Sequence, residues 1–388
     1  MNSLPENRYT NKYALILYYY YPYISGLSEY AKSIAEAIAN NPNTSVDVFV
    51  SKHEDHLPTE EVLNNVNIHR YKPIIKIGKY PIIPQMFLSI INKASSYDKI
   101  LVFLPLSEAL FLSILPHKRV LMFYVCDIRT GIGQIHKLLE SLLDLSARIL
   151  SHKAFKIIPL SNDYYRSCRI YSINQESKLM PLRPTLRMTT NTDKEGGIRF
   201  RKKLGISETS FIIGFLGRIV YEKGVDYLLR TIPLITKQIP NLKLLIGGDY
   251  EYVAGGSVYK NLIPIIERHK ENIIFTGKVA EEDKADFFSA LDLFVLPSID
   301  PLEAFGIVQL EALYSGVPVI ASDMPGVREI IQKTGFGELA QPMSVEDLAE
   351  KILKIYHNRA RYLPNKRLMD KFYSESEWQK QLETILMK

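Results

Sequence analysis

The sequence predicts an α/β protein built from two doubly wound domains in succession. Three observations carry that prediction. Apolar runs of strand length recur without polar alternation, the pattern of parallel strands buried on both faces. Segments of helical spacing separate them, as βαβ units require. The 388 residues also exceed one ordinary core, so two domains are expected.

In chain order, residues 13–20 (YALILYYY) read as the first buried strand, and SIAEAIAN after Gly26 reads as a helix. Gly26, in the turn between them, either lets backbone approach a phosphate or is a plain turn glycine. The dinucleotide fingerprint GxGxxG is not present. Strands at 45–50, 99–104, 119–125 and 155–160 complete a first domain, residues 1–182. The segment 72–93 mixes Lys72, Lys76, Lys79 and Lys93 with Ile, Met and Phe. It reads either as a surface against a bilayer or a lipid-linked acceptor, or as a loop and helix packed on the sheet. His53 and His56 sit in a polar loop and read as surface residues.

After Met180 the periodicity stops. The stretch PLRPTLRMTTNTDKEGG carries two prolines, two glycines and a cluster of Thr and Asn, and reads as a linker. A second α/β run follows, with strands at 211–217, 242–248, 272–277, 291–297 and 317–322 and helices at 224–237, 258–269, 282–290 and 326–332. This domain is expected over 183–365, with a last helix in 366–388.

Within it, LPSIDPLEAFGIVQLEALYSGVPVIA (296–321) holds two glutamates, Glu303 and Glu311, that an apolar strand–helix–strand segment has no structural need for. A helix is expected to open at Phe305 or Gly306, with Ile307, Leu310, Ala312 and Leu313 as its apolar positions, and to stop at Gly316. On one helix the two acids would stand roughly 80° apart and share no face. Glu303 is therefore placed in the preceding loop and Glu311 in the second turn. The free N–H groups of Gly306 and Ile307 then lie between them at the positive end of the helix dipole. Such a segment grips an extended ligand, with hydroxyls at each carboxylate and phosphates between. In GRIVYEKG, Arg218 and Lys223 flank a turn; two cations converging there suit a pyrophosphate, although a surface pair reads the same way. GGDYEY, TGKVAEED and PSIDPLEAFG leave the next strands, so the four loops line one rim. Open α/β sheets bind ligands outside the carboxyl ends of their strands, here in the cleft expected between the domains.

Hydrophobic content of 46 % and charged content of 23 % fit a soluble globular protein. Cys126 and Cys168 are the only cysteines, too few for a disulfide framework or a cysteine metal site. No apolar run reaches the roughly 18 residues of a spanning helix, and the N-terminus lacks a signal-peptide pattern. A reducing, cytoplasmic setting is expected. Residues 1–180 hold 20 Lys and Arg against 15 Asp and Glu, and the remaining 208 hold 28 against 27. The basic first half suits an anionic surface such as the inner face of a membrane, or is simply a lysine-rich surface. No nucleic-acid partner is expected.

The segments GFLGRIVYEKGVDYLL, LLIGGD, IIFTGKV and LDLFVLPSIDPLEAFGIVQLEALYSGVPVIASDMPGVREII together resemble the nucleotide-sugar domain of retaining family 4-like glycosyltransferases, which have the GT-B fold. The resemblance covers roughly residues 200–340; the first domain shares only the strand spacing. It implies a nucleoside-diphosphate sugar as donor and a hydroxyl acceptor, lipid-linked or glycan. Arg218 and Lys223 would hold the diphosphate, and Glu303 would contact hydroxyls of the transferred sugar. Backbone at Phe305, Gly306 and Ile307 would meet sugar and phosphate, Glu311 the ribose, and backbone at Lys278 and Val279 the base. The last helix, around Trp378, would cross back onto the first domain. The family often has His-Asp after a first-domain strand, where this chain has Cys126-Asp127; Asp127 would still meet the sugar or acceptor. Cys126 would stand on the acceptor side, or be a buried strand-end cysteine. The chain lacks the Asp-x-Asp motif of the other large glycosyltransferase fold, so no metal and no further cofactor are expected. Retention implies front-face attack, the leaving phosphate taking the acceptor's proton; Glu303, placed at sugar hydroxyls, is not read as a nucleophile. A nucleotide-sugar 2-epimerase of the same fold and a non-catalytic partner subunit are the alternatives. Donor sugar, base and acceptor are not fixed by the sequence.

Overall fold

Strands buried on both faces need no alternation, and β1 (Asn11–Ile16) shows why its sequence is continuously apolar: Ala14, Leu15 and Ile16 are all fully buried. The computed structural model describes residues 10–77, 80–127, 133–186, 194–251, 253 and 256–387. The chain divides into two compact units, Met1–Thr185 with Trp378–Lys388, and Leu186–Glu377.

In the first unit β1 is followed by β2 (Thr44–Ser51), β3 (Glu60–Leu63), β4 (Val66–Tyr71), β5 (Ile75–Ile77), β6 (Tyr80–Ile82), β7 (Lys99–Leu104), β8 (Val120–Tyr124) and β9 (Lys156–Pro159). The sheet order is β3-β4-β2-β1-β7-β8-β9, parallel except for the edge strand β3, and β5 and β6 form a separate hairpin. From β1 the chain winds outward to β4, then returns to β7 and winds the other way. The order reverses between β1 and β7, the point where open α/β sheets leave a crevice. Beyond β1, Leu17, Tyr18 and Tyr20 stay buried although the strand proper ends at Ile16, short of the expected residue 20. Helix Gly26–Ala39 starts on a capping box, Ser25 and Ser28 each bonding the other's backbone. In the 72–93 segment, helix Pro84–Lys93 buries Met86, Phe87 and Ile90, while Ile74 and Ile75 remain exposed.

The second unit contains β10 (Phe211–Leu216), β11 (Leu242–Gly247), β12 (Ile273–Gly277), β13 (Leu293–Leu296), β14 (Val319–Ser322) and β15 (Gly337–Ala340). All pairings are parallel, in the order β12-β11-β10-β13-β14-β15. This is again the doubly wound order, with its reversal between β10 and β13. Ile213, Phe215, Leu244, Ile246, Leu293 and Val295 form the centre of its core. The expected single helix over 224–237 is two short ones, Val225–Arg230 and Ile232–Ile235, because Pro233 opens the second.

Gly196 and Gly197, read from sequence as linker residues, lie instead in helix Lys194–Lys203. A Cβ at Gly196 would stand 1.9 Å from Asp286 Oδ1, and one at Gly197 2.4 Å from the Ser289 carbonyl. The pair is there so that this helix can press against helix Lys284–Ser289. Residues 187–193 of the expected linker lie outside the described residues. Helix Glu375–Met387 ends the chain; Trp378 is fully buried in the first unit, its Nε1 donating to the Arg183 carbonyl at 2.8 Å.

Candidate active site

Where a doubly wound sheet reverses its order, the crossovers on either side leave toward opposite faces, and the carboxyl ends of the two central strands are left open. In the second unit these are β10 and β13, and the loops that follow them carry Arg218, Lys223 and Glu303. Backbone ties the two loops together: Ile299 N donates to the Glu222 carbonyl at 3.0 Å. Gly224 makes the approach possible. Its φ is +64°, and a Cβ there would lie 2.0 Å from the Pro297 carbonyl.

Side chains then meet across the reversal. Lys223 Nζ donates to Glu303 Oε2, and Ser298 Oγ, fully buried, donates to the same oxygen at 3.3 Å. Arg218 is more exposed and pairs with Glu222 at 3.0 Å. The sequence pairs Arg218 and Lys223 as cations; in the structure each faces a carboxylate. Neighbouring loops close the same edge with backbone alone. Gly217 N donates to Gly247 O at 3.0 Å and Gly248 N to Gly277 O at 2.7 Å, and a Cβ at Gly248 would stand 1.9 Å from Gly217 O. Lys278, exposed, and Val279, half-buried, follow directly.

The helix of the Glu303–Glu311 segment is shorter than expected. Gly306 takes φ +71°, the helix runs Val308–Tyr314, and Glu311 therefore stands in its first turn, not its second. A left-handed residue cannot continue a right-handed helix, so the turn begins only past it. The amides of Gly306 and Ile307 precede the first helical bonds, which start with Gln309 N to Gly306 O at 2.9 Å. Phe305 is buried, and Gln309, fully buried, holds the bend by donating from Nε2 to Val327 O at 3.1 Å and Phe305 O at 3.4 Å. A Cβ at Gly306 would come 2.6 Å from that same Nε2.

Glu311 faces Lys284, whose Nζ lies 3.5 Å from Oε1 and 2.8 Å from Glu281. Burial raises the Glu311 pKa, and Lys284 offsets this only in part. Burial opposes the Lys284 charge, yet Glu311 and Glu281 together raise its pKa. A carboxylate left short of solvent and of full pairing is a strong acceptor for ligand hydroxyls. Ser298, Gln309 and Lys284 were not found from sequence. Ser298 follows the Pro that ends a strand, Gln309 sits among apolar helix positions, and Lys284 looks like any charged helix start.

In the first unit Cys126 and Asp127 follow β8. Tyr124 Oη donates to Asp127 Oδ1 at 2.5 Å, Asp127 N donates to Tyr164 Oη at 2.9 Å, and Arg169 N donates to Oδ2 at 3.4 Å. Asp127 is thus held by its own unit. Cys126 is half-buried, and burial, with the Asp127 charge adding to it, pushes its thiol up to about 11. Burial thus disfavours the thiolate, the nucleophilic form of the side chain. Gly26 is the first residue of its helix, with nothing within 4 Å of where a Cβ would be. At this sheet's own reversal a buried carboxylate was missed: Glu108 accepts from Tyr18 Oη and Ser107 Oγ, each at 2.7 Å, and from Ile83 N at 2.9 Å. Among the described residues no group of three or more His, Cys, Asp or Glu is placed to hold a metal ion.

Residues 198–371 match the family model described as glycosyl transferases group 1. This segment, less than half of the chain, is similar to the group 1 glycosyltransferases. Across 359 residues the chain is 27 % identical to an uncharacterized glycosyltransferase of Methanocaldococcus jannaschii, covering 87 % of each. It is 30 % identical over 186 residues to the alpha-monoglucosyldiacylglycerol synthase of Streptococcus pneumoniae, covering 47 % of this chain and 40 % of that protein. Among solved structures, sucrose-phosphate synthase from Thermosynechococcus elongatus superposes with a TM-score of 0.72 at 18 % identity, over 97 % of this chain and 98 % of that one. HepE of Anabaena, solved in complex with UDP, gives 0.71 at 17 % identity, over 97 % and 99 %. The fold is that of the GT-B glycosyltransferases, two Rossmann-like units. The group 1 segment contains the Lys223–Glu303 contact and Glu311, and excludes Cys126, Asp127 and Gly26.

Proposed function

We propose that this protein is a glycosyltransferase that moves a sugar from a nucleoside-diphosphate sugar to a hydroxyl acceptor with retention of configuration. The observation that carries the reading is the contact of Lys223 with Glu303 at the sheet reversal, where one cation and one carboxylate stand within reach of a single ligand. The donor's diphosphate takes Lys223 and Arg218 from their present carboxylate partners and meets the amides of Gly306 and Ile307. Glu303, held in place by Ser298, accepts from hydroxyls of the transferred sugar, Glu311 accepts from the ribose, and backbone at Lys278 and Val279 meets the base. HepE, a protein of like fold, has also been solved in complex with UDP-glucose, which supports this class of donor.

In the reaction, the bond from the anomeric carbon to the diphosphate oxygen breaks as the acceptor oxygen bonds to the same face of that carbon. The acceptor's proton passes to the leaving phosphate. Charge grows on the diphosphate, so fixed cations and amides there stabilise the transition state more than the ground state. No step needs a protein nucleophile. The first unit takes the acceptor, with Asp127, Cys126 and Gly26 facing it. The lipid product named for the S. pneumoniae relative supports a lipid-linked acceptor, reached at the cytoplasmic face of a membrane by peripheral contact through the basic first unit. No helix among the described residues is long and apolar enough to cross a membrane.

The test is transfer from a panel of UDP-, GDP- and ADP-sugars to glycan and glycolipid acceptors, with the anomeric configuration of the product read by NMR. Consumption of one donor with retained configuration is expected. An inverted product would overturn the mechanism, and epimerisation of the donor without acceptor would overturn the activity.

A further inference from the structure

Helix Gln134–Lys153 lies beside residues Ser107–Ile114, with Leu110 N donating to Ser146 Oγ at 2.9 Å. The outer side of this pair is apolar. Phe111, Ile114, Leu138, Leu142 and Leu145 each expose more than half of their surface, from 51 % at Phe111 and Leu142 to 70 % at Ile114. At about 100° per residue the three leucines fall within an arc of about 60°, so they form one stripe along the helix. Isolated exposed leucines need no explanation, whereas a continuous stripe continued by a second segment marks an interaction surface.

The exposed charges beside the stripe are basic. Lys137, Arg148 and Lys153 flank it on the helix, and Lys118 stands at the far end of the second segment, where His117 Nδ1 meets the Lys153 carbonyl at 2.6 Å. The helix's acids, Glu140 and Asp144, are largely covered and paired, 3.2 and 3.3 Å from Arg169. The acid of the other segment, Glu108, is buried. A two-fold contact with a second copy would set these cations against each other. An anionic bilayer instead receives the leucines below its headgroups and pairs the flanking cations with phosphates.

We propose that the ridge formed by Leu110, Phe111, Ile114, Leu138, Leu142 and Leu145 docks the first unit on an anionic lipid surface. This rests on the membrane contact in the function proposed above and assigns it to a different surface from the 72–93 segment. There only Ile74, Ile75 and Leu88 are exposed among the large apolar residues described, helix Pro84–Lys93 having buried its Met86, Phe87 and Ile90.

The experiment is flotation of the full chain with phosphatidylcholine vesicles and with mixed phosphatidylcholine–phosphatidylglycerol vesicles. The proteins compared are wild type, the triple variant L138S/L142S/L145S, the charge variant K137E/K153E and the control I74S/I75S. Burying one leucine is worth at least about tenfold in partition, so the triple variant should lose flotation altogether. K137E/K153E should lose the preference for the anionic vesicles, and I74S/I75S should float as wild type. Circular dichroism melts and transfer to a soluble acceptor, both unchanged in every variant, show that fold and chemistry are intact. Flotation of the triple variant equal to wild type overturns the ridge and leaves membrane contact standing. Absence of wild-type flotation overturns both, while turnover on the soluble acceptor tests transfer separately. A wild-type dimer in sedimentation that the leucine substitutions disperse assigns the ridge to a second copy and overturns the proposal.

Discussion

Lys223→Met removes the cation that faces Glu303 while keeping a side chain of similar length. The Lys223 and Glu303 side chains are 22 % and 13 % exposed, so water screens their pair only in part. Without Lys223, Glu303 keeps the Ser298 hydroxyl at 3.3 Å as its partner. Stripping one partner from a half-buried pair should lower stability by about 1–3 kcal/mol. In the reaction the loss is larger, because the ammonium faces a diphosphate whose charge grows as the bond breaks. Removing one such preorganised donor costs about 3 kcal/mol in the transition state, or about 100- to 1,000-fold in kcat. Initial rates at saturating donor, with the melting midpoint of the same preparation, give both quantities. Lys223→Arg should fall between, since a fork replaces a point charge. A kcat for Lys223→Met within tenfold of wild type, or a rate loss that merely follows the unfolded fraction, would refute the assignment of Lys223 to the leaving group.

Glu311→Gln tests the other carboxylate. Because burial raises its pKa, the folded state keeps this proton longer than the unfolded chain, and stability falls as pH climbs out of the ordinary carboxylate range through the raised value. The substitution should flatten that slope in melts from about pH 4 to about pH 8 and raise the unliganded midpoint near neutrality, while weakening nucleoside diphosphate binding by calorimetry. Gly224→Ala forces a side chain into a left-handed position against the Pro297 carbonyl; it should cost more than about 1 kcal/mol in urea unfolding and raise the KM for donor, as Lys223 is displaced. Trp378→Ala empties a fully buried site and strands the Arg183 carbonyl, so it should cost about 3–5 kcal/mol in the same assay and lower the midpoint of the first unit.

Most strands of the second unit are legible because buried parallel strands read as near-continuous apolar runs, as in β10, β13 and β14, with a single Lys243 interrupting β11. β15 did not: Gly337 opens it, where a Cβ would lie 1.8 Å from the Val319 carbonyl, and Gly-Glu-Leu-Ala is too short and polar to read as a strand. β3 escaped for a related reason, as an edge strand that begins with two glutamates and presents residues such as Val62 to solvent. Spacing puts Glu303 in the loop and Glu311 in the helix, as found, but puts Glu311 one turn too deep, because it misses the left-handed turn at Gly306 that delays the helix to Val308. A glycine in a helical pattern does not reveal its φ; here that is fixed by Leu296 and Gln309, which close in on it from other elements. The partners of the site residues were illegible on the same principle. Ser298 reaches Glu303 only through the loop's path, and Lys284 reaches Glu311 from a different helix.

On the proposed function, the open edge between β10 and β13 binds a nucleoside diphosphate sugar through Lys223. The most direct test is the melting midpoint of wild type and of Lys223→Met, with and without UDP, GDP, ADP and their sugars. A ligand at 100 times its dissociation constant stabilises the folded state by about 2.7 kcal/mol. One nucleotide series is therefore expected to raise the wild-type midpoint by several degrees and the variant's by much less. Equal shifts in the two proteins, or no shift with any nucleotide, would contradict the account.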